Sequence, residues 1–220
     1  LCQRQKCGKS ELLSMGLIAK KSFPNATRVI DRFHVQKLAT EALQEIRIKY
    51  RWQAIDRENE AIEKAKKNKK RFEPAVLVNG DTVKQLLARS RYFLYKNKSK
   101  WTANQLQRAL LLFELYPDIK EAYNLSQGLR NIFENTTDKI IGFARLAKWH
   151  EKVNQSGFKS FNTISRTIIN HYQNILNYFD NRSTNASAES FNAKIKAFRS
   201  QFRGVRNIEF FLFRLTNIYA

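Results

Sequence analysis

Glycine and proline are scarce: seven and three in 220 residues, so long stretches run without a chain breaker. That scarcity argues for a mostly helical protein. Cysteine is nearly absent. Cys2 and Cys7 form a lone C-x4-C with no second pair and no histidine nearby, half a zinc site at best, and they receive no role. Long apolar runs are missing too. None approaches the roughly 20 residues needed to cross a bilayer, and the opening LCQRQKCGKS lacks the apolar segment of a signal peptide. No membrane partner is expected, and the chain reads as cytoplasmic. Acid is the last shortage: 19 Asp plus Glu face 40 Lys plus Arg, a formal charge of +21. A folded surface with that imbalance carries a strong positive field and points to a polyanionic partner. The 43% apolar content that remains is enough for a sizeable core, which excludes a disordered tail and a disulfide miniprotein.

Along the chain, Leu12, Leu13, Met15, Leu17 and Ile18 suit a short helix with Ser10 as its cap. After the Phe23-Pro24-Asn25 break, residues 26–35 (ATRVIDRFHV) read as the one clear strand. Helices follow. Leu38, Ala42, Ile46 and Tyr50 share a stripe that continues into the charged run Asp56 to Arg71, where Glu60–Lys64 and Glu63–Lys67 are expected i,i+4 pairs. This run reads first as a solvated face and second as a nucleic-acid contact. Pro74 and Asn79-Gly80 break the chain before a helix from about Thr82 to Tyr95. The next spans Ala103 to Leu115, with Leu106, Leu110 and Phe113 on one face and Pro117 closing it. Further stripes are Ile119, Ala122 and Tyr123; then Ile140, Phe143, Ala144 and Ala147; then Ile164, Ile168, Tyr172, Ile175 and Phe179. No fixed repeat period emerges, which disfavours a solenoid.

The C-terminal part is the most informative. Residues 181–190 (NRSTNASAES) are a polar break, followed by an amphipathic helix with Phe191, Ile195, Phe198 and Phe202 facing a core. Glu189, Asn192, Lys196, Arg199 and Arg203 share a neighbouring face, so one carboxylate heads a row of amide and cationic groups. In the bland reading Glu189 complements the helix dipole and the cations solubilise. In the sharper one Glu189 is a metal ligand beside a row that holds a phosphodiester backbone. Spacing leaves both open.

The string VIDRFHVQKL at 29–38, then a long helical stretch, then STNASAESFNAKIKAFRSQFRGVRN at 183–207, resembles the C-terminal part of the ISL3 family of insertion-sequence transposases, from about Leu17 to the end. The resemblance implies a ribonuclease-H-like core in which three acids hold two divalent metals, Mg²⁺ or Mn²⁺, for strand cleavage and transfer. The expected fold is therefore mainly α with a small remnant of that α/β core. Residues 1–10 would be a divergent segment, 11–37 the core remnant with its strand, 38–180 an all-helical insertion, and 181–220 the catalytic-type helices.

By the same resemblance Glu189 is the last catalytic acid and metal ligand. Asn192, Lys194, Lys196, Arg199, Arg203 and Arg206 are candidate DNA contacts. Asp31 and His34 resemble the Asp-x-x-His element carried near the active site, outside the metal triad; a hydrogen-bonded core histidine is the alternative for His34. The two earlier acids are expected upstream of Leu12, and LCQRQKCGKS has no strand pattern, so the expected chain is a truncated transposase, inactive alone and not productively metal-loaded. Three functions follow: a truncated DDE transposase, located with the bacterial nucleoid and able to associate with itself or a full-length copy; a non-catalytic DNA-binding regulator of transposition; and an unrelated basic RNA-binding or assembly protein. All of it presupposes that Glu189, Asp31 and His34 converge in space.

Overall fold

The computed structural model describes residues 21, 25, 27–182, 186–201 and 207–219, without the side chains of 181, 186–189, 191 and 219. The expected helix of Leu12 to Ile18, its Ser10 cap and both cysteines lie outside the described residues. The chain divides into two units at Asn181–Arg182, each taken by itself.

The described residues of the first unit form α1 (Arg32–Lys67), α2 (Val83–Arg89), α3 (Arg91–Leu94), a 3-10 turn (Lys98–Lys100), α4 (Ala103–Leu115), α5 (Pro117–Glu134), α6 (Lys139–Ser156), α7 (Lys159–Asn170) and α8 (Tyr172–Asn181). The second holds α9 (Ala186–Ser200) and α10 (Ile208–Tyr219). In the first unit α1 packs chiefly on α5, and also on α2 and α7, while α6 packs on α5, α7 and α8.

The expected strand at 26–35 is not one. Residues 27–30 have no regular structure and pair with no strand, and Asp31, itself extended, starts a helix. The Ile30 N–H donates to the Asn174 carbonyl at 2.9 Å and the Asn177 side chain donates to the Arg28 carbonyl at 3.0 Å, so this segment lies along α8. The reason is a competing period. Val35, Ala39, Ala42 and Leu43 recur at helical spacing and are all buried, whereas Phe33, which strand alternation placed with the apolar set, is 54% exposed. Among the described residues the sole β pairing is an isolated Val76–Thr82 bridge, closed by a turn in which Gly80 has φ +80°.

Helix starts follow local chemistry. Thr82 and Thr102 each accept from the backbone N–H three residues on, and Gln85 and Gln105 reach back to complete capping boxes. Asp138 caps α6. Pro117 opens α5 at its first turn rather than merely closing α4, since a missing N–H is harmless there. The helix expected from Thr82 to Tyr95 is divided at Ser90. In the charged run Glu63 pairs with Lys66 at 3.3 Å instead of with Lys67. Beyond Arg47, α1 contributes no fully buried residue, but Tyr50 and Ala54 still pack on the core, the Tyr50 ring lies 4.8 Å from that of Tyr116, and Glu58 pairs with Lys84 of α2, while Trp52 is 61% exposed.

Two stripes were misassigned. On α6 the expected face of Ile140, Phe143, Ala144 and Ala147 points outward; the buried one is Gly142, Leu146, Trp149 and Val153. On α4 the buried residues are Ala109 and Leu112; of the expected face, Phe113 packs against the core beside Trp101 and Tyr123, while Leu106 and Leu110 are exposed. In both, a small residue marks the close approach that a hydrophobicity pattern overlooks. The α7–α8 stripe is buried at Ile164, Ile168, Ile175 and Phe179 but not at Tyr172, because His171 separates the two helices.

Candidate nucleic-acid interface

Asp31 and His34 sit together at the head of α1. Asp31, 7% exposed, is the N-cap: its carboxylate accepts from the Phe33 N–H at 2.9 Å, and the His34 N–H donates to its carbonyl at 3.1 Å. The Asp-x-x-His spacing is therefore that of a cap and the third helical residue. His34 is exposed, which removes the reading of it as a core histidine at a strand end.

Beside this cap lies a cavity of about 400 Å³. Its walls come from the first turn of α1, from residues 95–100, and from the C-terminal part of α5. Arg32, Lys96, Lys100 and Arg130 line it, against one carboxylate, Glu134. The loop is held in place. Arg130 donates to the Tyr95 carbonyl at 2.9 Å, the Tyr123 hydroxyl donates to the Lys96 carbonyl at 3.0 Å, and Asn97 caps the 3-10 turn. Burial pushes the Tyr123 phenol up to about 12, so it remains a donor at neutral pH.

A second groove, about 490 Å³, runs between α5 and α6. Arg145, Lys148 and Lys152 line it at i, i+3 and i+7, opposed by Glu121. Arg145 is fixed by the Asn135 carbonyl and the Thr136 hydroxyl, each at 2.8 Å. Lys148 and Lys152 are exposed and make no ion pair among the described residues.

One acidic centre went unnoticed in the sequence. The Asp81 side chain, 1% exposed, receives Arg108 Nε at 2.7 Å and also Arg89. Burial pushes its carboxyl up, but the two guanidinium groups outweigh that and hold it below the usual carboxylate range. Asp81 thus ties the turn at 79–82 to α2 and α4, a structural task. The Asn-Gly-Asp-Thr turn marks its place in the sequence, but Arg108 lies 27 residues on in a different helix, so no local pattern announces the pairing.

In the second unit Asn192, Lys196 and Arg199 form an exposed face of α9, with Lys194 exposed beside it. Ile195 and Phe198 turn inward, and the Phe198 and Phe211 rings lie 5.3 Å apart. Glu189 is in the first turns of α9, but its side chain lies outside the described ones, as do Phe202, Arg203 and Arg206 altogether.

Among the described residues no group of three or more His, Cys, Asp or Glu is placed to hold a metal ion. The donor set described does not fit a two-metal site, and no step is routed through one. Nor, among those residues, is any helix long and apolar enough to cross a membrane.

Comparison with known proteins adds one match. No curated protein and no solved structure matches the chain. A family model described as a transposase, of the DDE type and ISL3 family, matches residues 14–215. That span takes in the capped head of α1, both basic grooves and α9, so this chain belongs to the ISL3 family of transposases, and its role is in transposition.

Proposed function

We propose that the chain contacts DNA during transposition, with the cations of α9 and the two basic grooves gripping the phosphodiester backbone. The observation that carries this is the family match over 14–215 in a chain of formal charge +21. Asn192, Lys194, Lys196 and Arg199 are on an exposed helix face and are available to a backbone from solvent; Arg203 and Arg206 continue that row in sequence. Glu189 is proposed as the last acid and Mg²⁺ or Mn²⁺ ligand of a ribonuclease-H-like site, and Asp31 and His34 as the auxiliary Asp-x-x-His element of the family. In an intact family member the metals would supply Lewis acidity for phosphodiester cleavage and strand transfer. The bulk of the first unit then corresponds to the helical insertion expected over residues 38–180. Self-association or pairing with another transposase copy, and a nucleoid location in bacteria, go with this reading.

The test is binding to duplex DNA across a salt series. A protein that neutralises several phosphates loses affinity linearly in log–log coordinates, with a slope of about −0.9 per phosphate. Salt-insensitive or absent binding sinks the reading. The second reading, a non-catalytic DNA-binding regulator, is supported by the same exposed cations. Placing Glu189→Ala in a cleavage-competent full-length family transposase separates the two, since only the first reading predicts that Mg²⁺-dependent cleavage of element-end DNA is then abolished; the present chain alone is expected to cleave nothing.

A further inference from the structure

Why do four cations from three separate segments meet at the head of α1 with one carboxylate among them? Bringing Arg32, Lys96, Lys100 and Arg130 to one cavity concentrates positive potential, which an anion would relieve. Two buried polar atoms on its walls, Arg32 Nε and Gln36 Oε1, have no hydrogen-bond partner among the described residues. Such groups are normally satisfied, so two residues of the lining each carry a buried polar atom that no described residue satisfies. The Gln36 amide is oriented by its other end, which donates to the Ser126 hydroxyl at 3.2 Å and the Ser126 carbonyl at 3.3 Å. Two aromatic rings complete the walls: Phe33 is 54% exposed and Tyr95 43%, and the Arg32 guanidinium lies 4.8 Å from the Phe33 ring centre.

Cations alone would suit any polyanion. Half-exposed rings beside cations, with an unsatisfied donor and acceptor, suit a ligand that has a phosphate, a flat face and a hydrogen-bonding edge together. A base paired within a duplex cannot present its face to a cavity of this kind. We propose that the cavity holds one unpaired nucleotide of a DNA strand, its phosphate on Arg32, Lys96 and Lys100 and its base against Phe33 and Tyr95. This deepens the DNA-contact reading and rests on it. About 400 Å³ lies within the range of roughly 300–1,000 Å³ for pockets that enclose small organic ligands.

The test compares a blunt DNA duplex with the same duplex carrying a short single-stranded extension that contains 2-aminopurine. Wild-type chain should bind the extended duplex more tightly and quench the 2-aminopurine emission. Phe33→Ala should weaken binding of the extended duplex by about fivefold or more, abolish the quenching and leave blunt-duplex affinity within about twofold. Phe33→Trp should restore both signals, and Phe33 is exposed enough for either change to spare the fold. Equal affinity of wild type for the two duplexes, unquenched emission, or equal losses on both with Phe33→Ala overturns the nucleotide pocket while leaving DNA contact standing. Failure to bind either duplex overturns the DNA reading beneath it.

Discussion

Asp31 caps the helix that carries His34: the Asp31 carboxylate holds the Phe33 N–H at 2.9 Å, and its carbonyl receives the His34 N–H at 3.1 Å. A motif that reads as site chemistry thus has a backbone task as well. The two roles separate by substitution. Asp31→Ala removes the cap and should cost about 1 kcal/mol in urea unfolding, whereas Asp31→Asn keeps a capping oxygen and should cost only a few tenths. If Asp31 also serves the reaction, Asp31→Asn placed in a cleavage-competent family transposase loses activity while keeping stability; if both measures survive it, Asp31 has no part in the reaction.

Gly142 should not tolerate alanine. A Cβ there would stand 2.8 and 2.9 Å from ring carbons of Phe179, closer than real contacts permit. Helix propensity alone favours alanine by about 1 kcal/mol. The Phe179 ring cannot yield easily, being 2% exposed and stacked on Phe133 with centroids 5.6 Å apart. Overpacking therefore wins, and Gly142→Ala should lower stability by a net of about 1–2 kcal/mol, read as a lower melting temperature.

Lys69 should gain from glycine. It has φ +52° just after α1, where the Lys70 N–H bonds to the Ala65 carbonyl and the Lys69 N–H to the Lys66 carbonyl, the pattern of a left-handed helix end. A side chain there costs about 1 kcal/mol that glycine avoids. Lys69→Gly should raise the urea midpoint, and an unchanged or lower midpoint would contradict the assignment of strain.

Acid should undo the Asp81 tie. Its carboxyl is held below the usual range, so the folded state binds its proton less readily than the unfolded chain does. The resulting stability is full above the unfolded carboxylate value, about 4, and falls as pH drops through the lower folded value. Asp81→Asn should flatten the stability profile below about pH 4 and destabilise at neutral pH by about 2–4 kcal/mol, since Arg89 and Arg108 lose their shared partner.

Arg199 provides the check on phosphate contact. Arg199→Ala removes an exposed charge from α9 and should weaken binding similarly for all DNA sequences, lowering the salt slope by about 1. Glu189→Ala should leave that binding unchanged or slightly stronger, because a negative charge is lost.

The sequence by itself determined the helical class, the charge and the family. Scarce glycine and proline, threonine–glutamine caps at Thr82 and Thr102, and the asymmetry of 40 basic to 19 acidic residues are all local or additive properties, legible without coordinates. Tertiary structure decided what depends on partners. Residues 26–35 read as a strand by composition. The Asp31 cap and the burial of Val35, Ala39 and Leu43 against α5 made the segment from Arg32 onward helical. Which face of α6 turns inward was set by Gly142 admitting the Phe179 ring, a contact between residues far apart in the chain that no periodicity records. The cavity lined by Arg32, Lys96 and Arg130 exists for the same reason: cations that look like unrelated surface charges along the chain meet only when α1, the loop and α5 pack together.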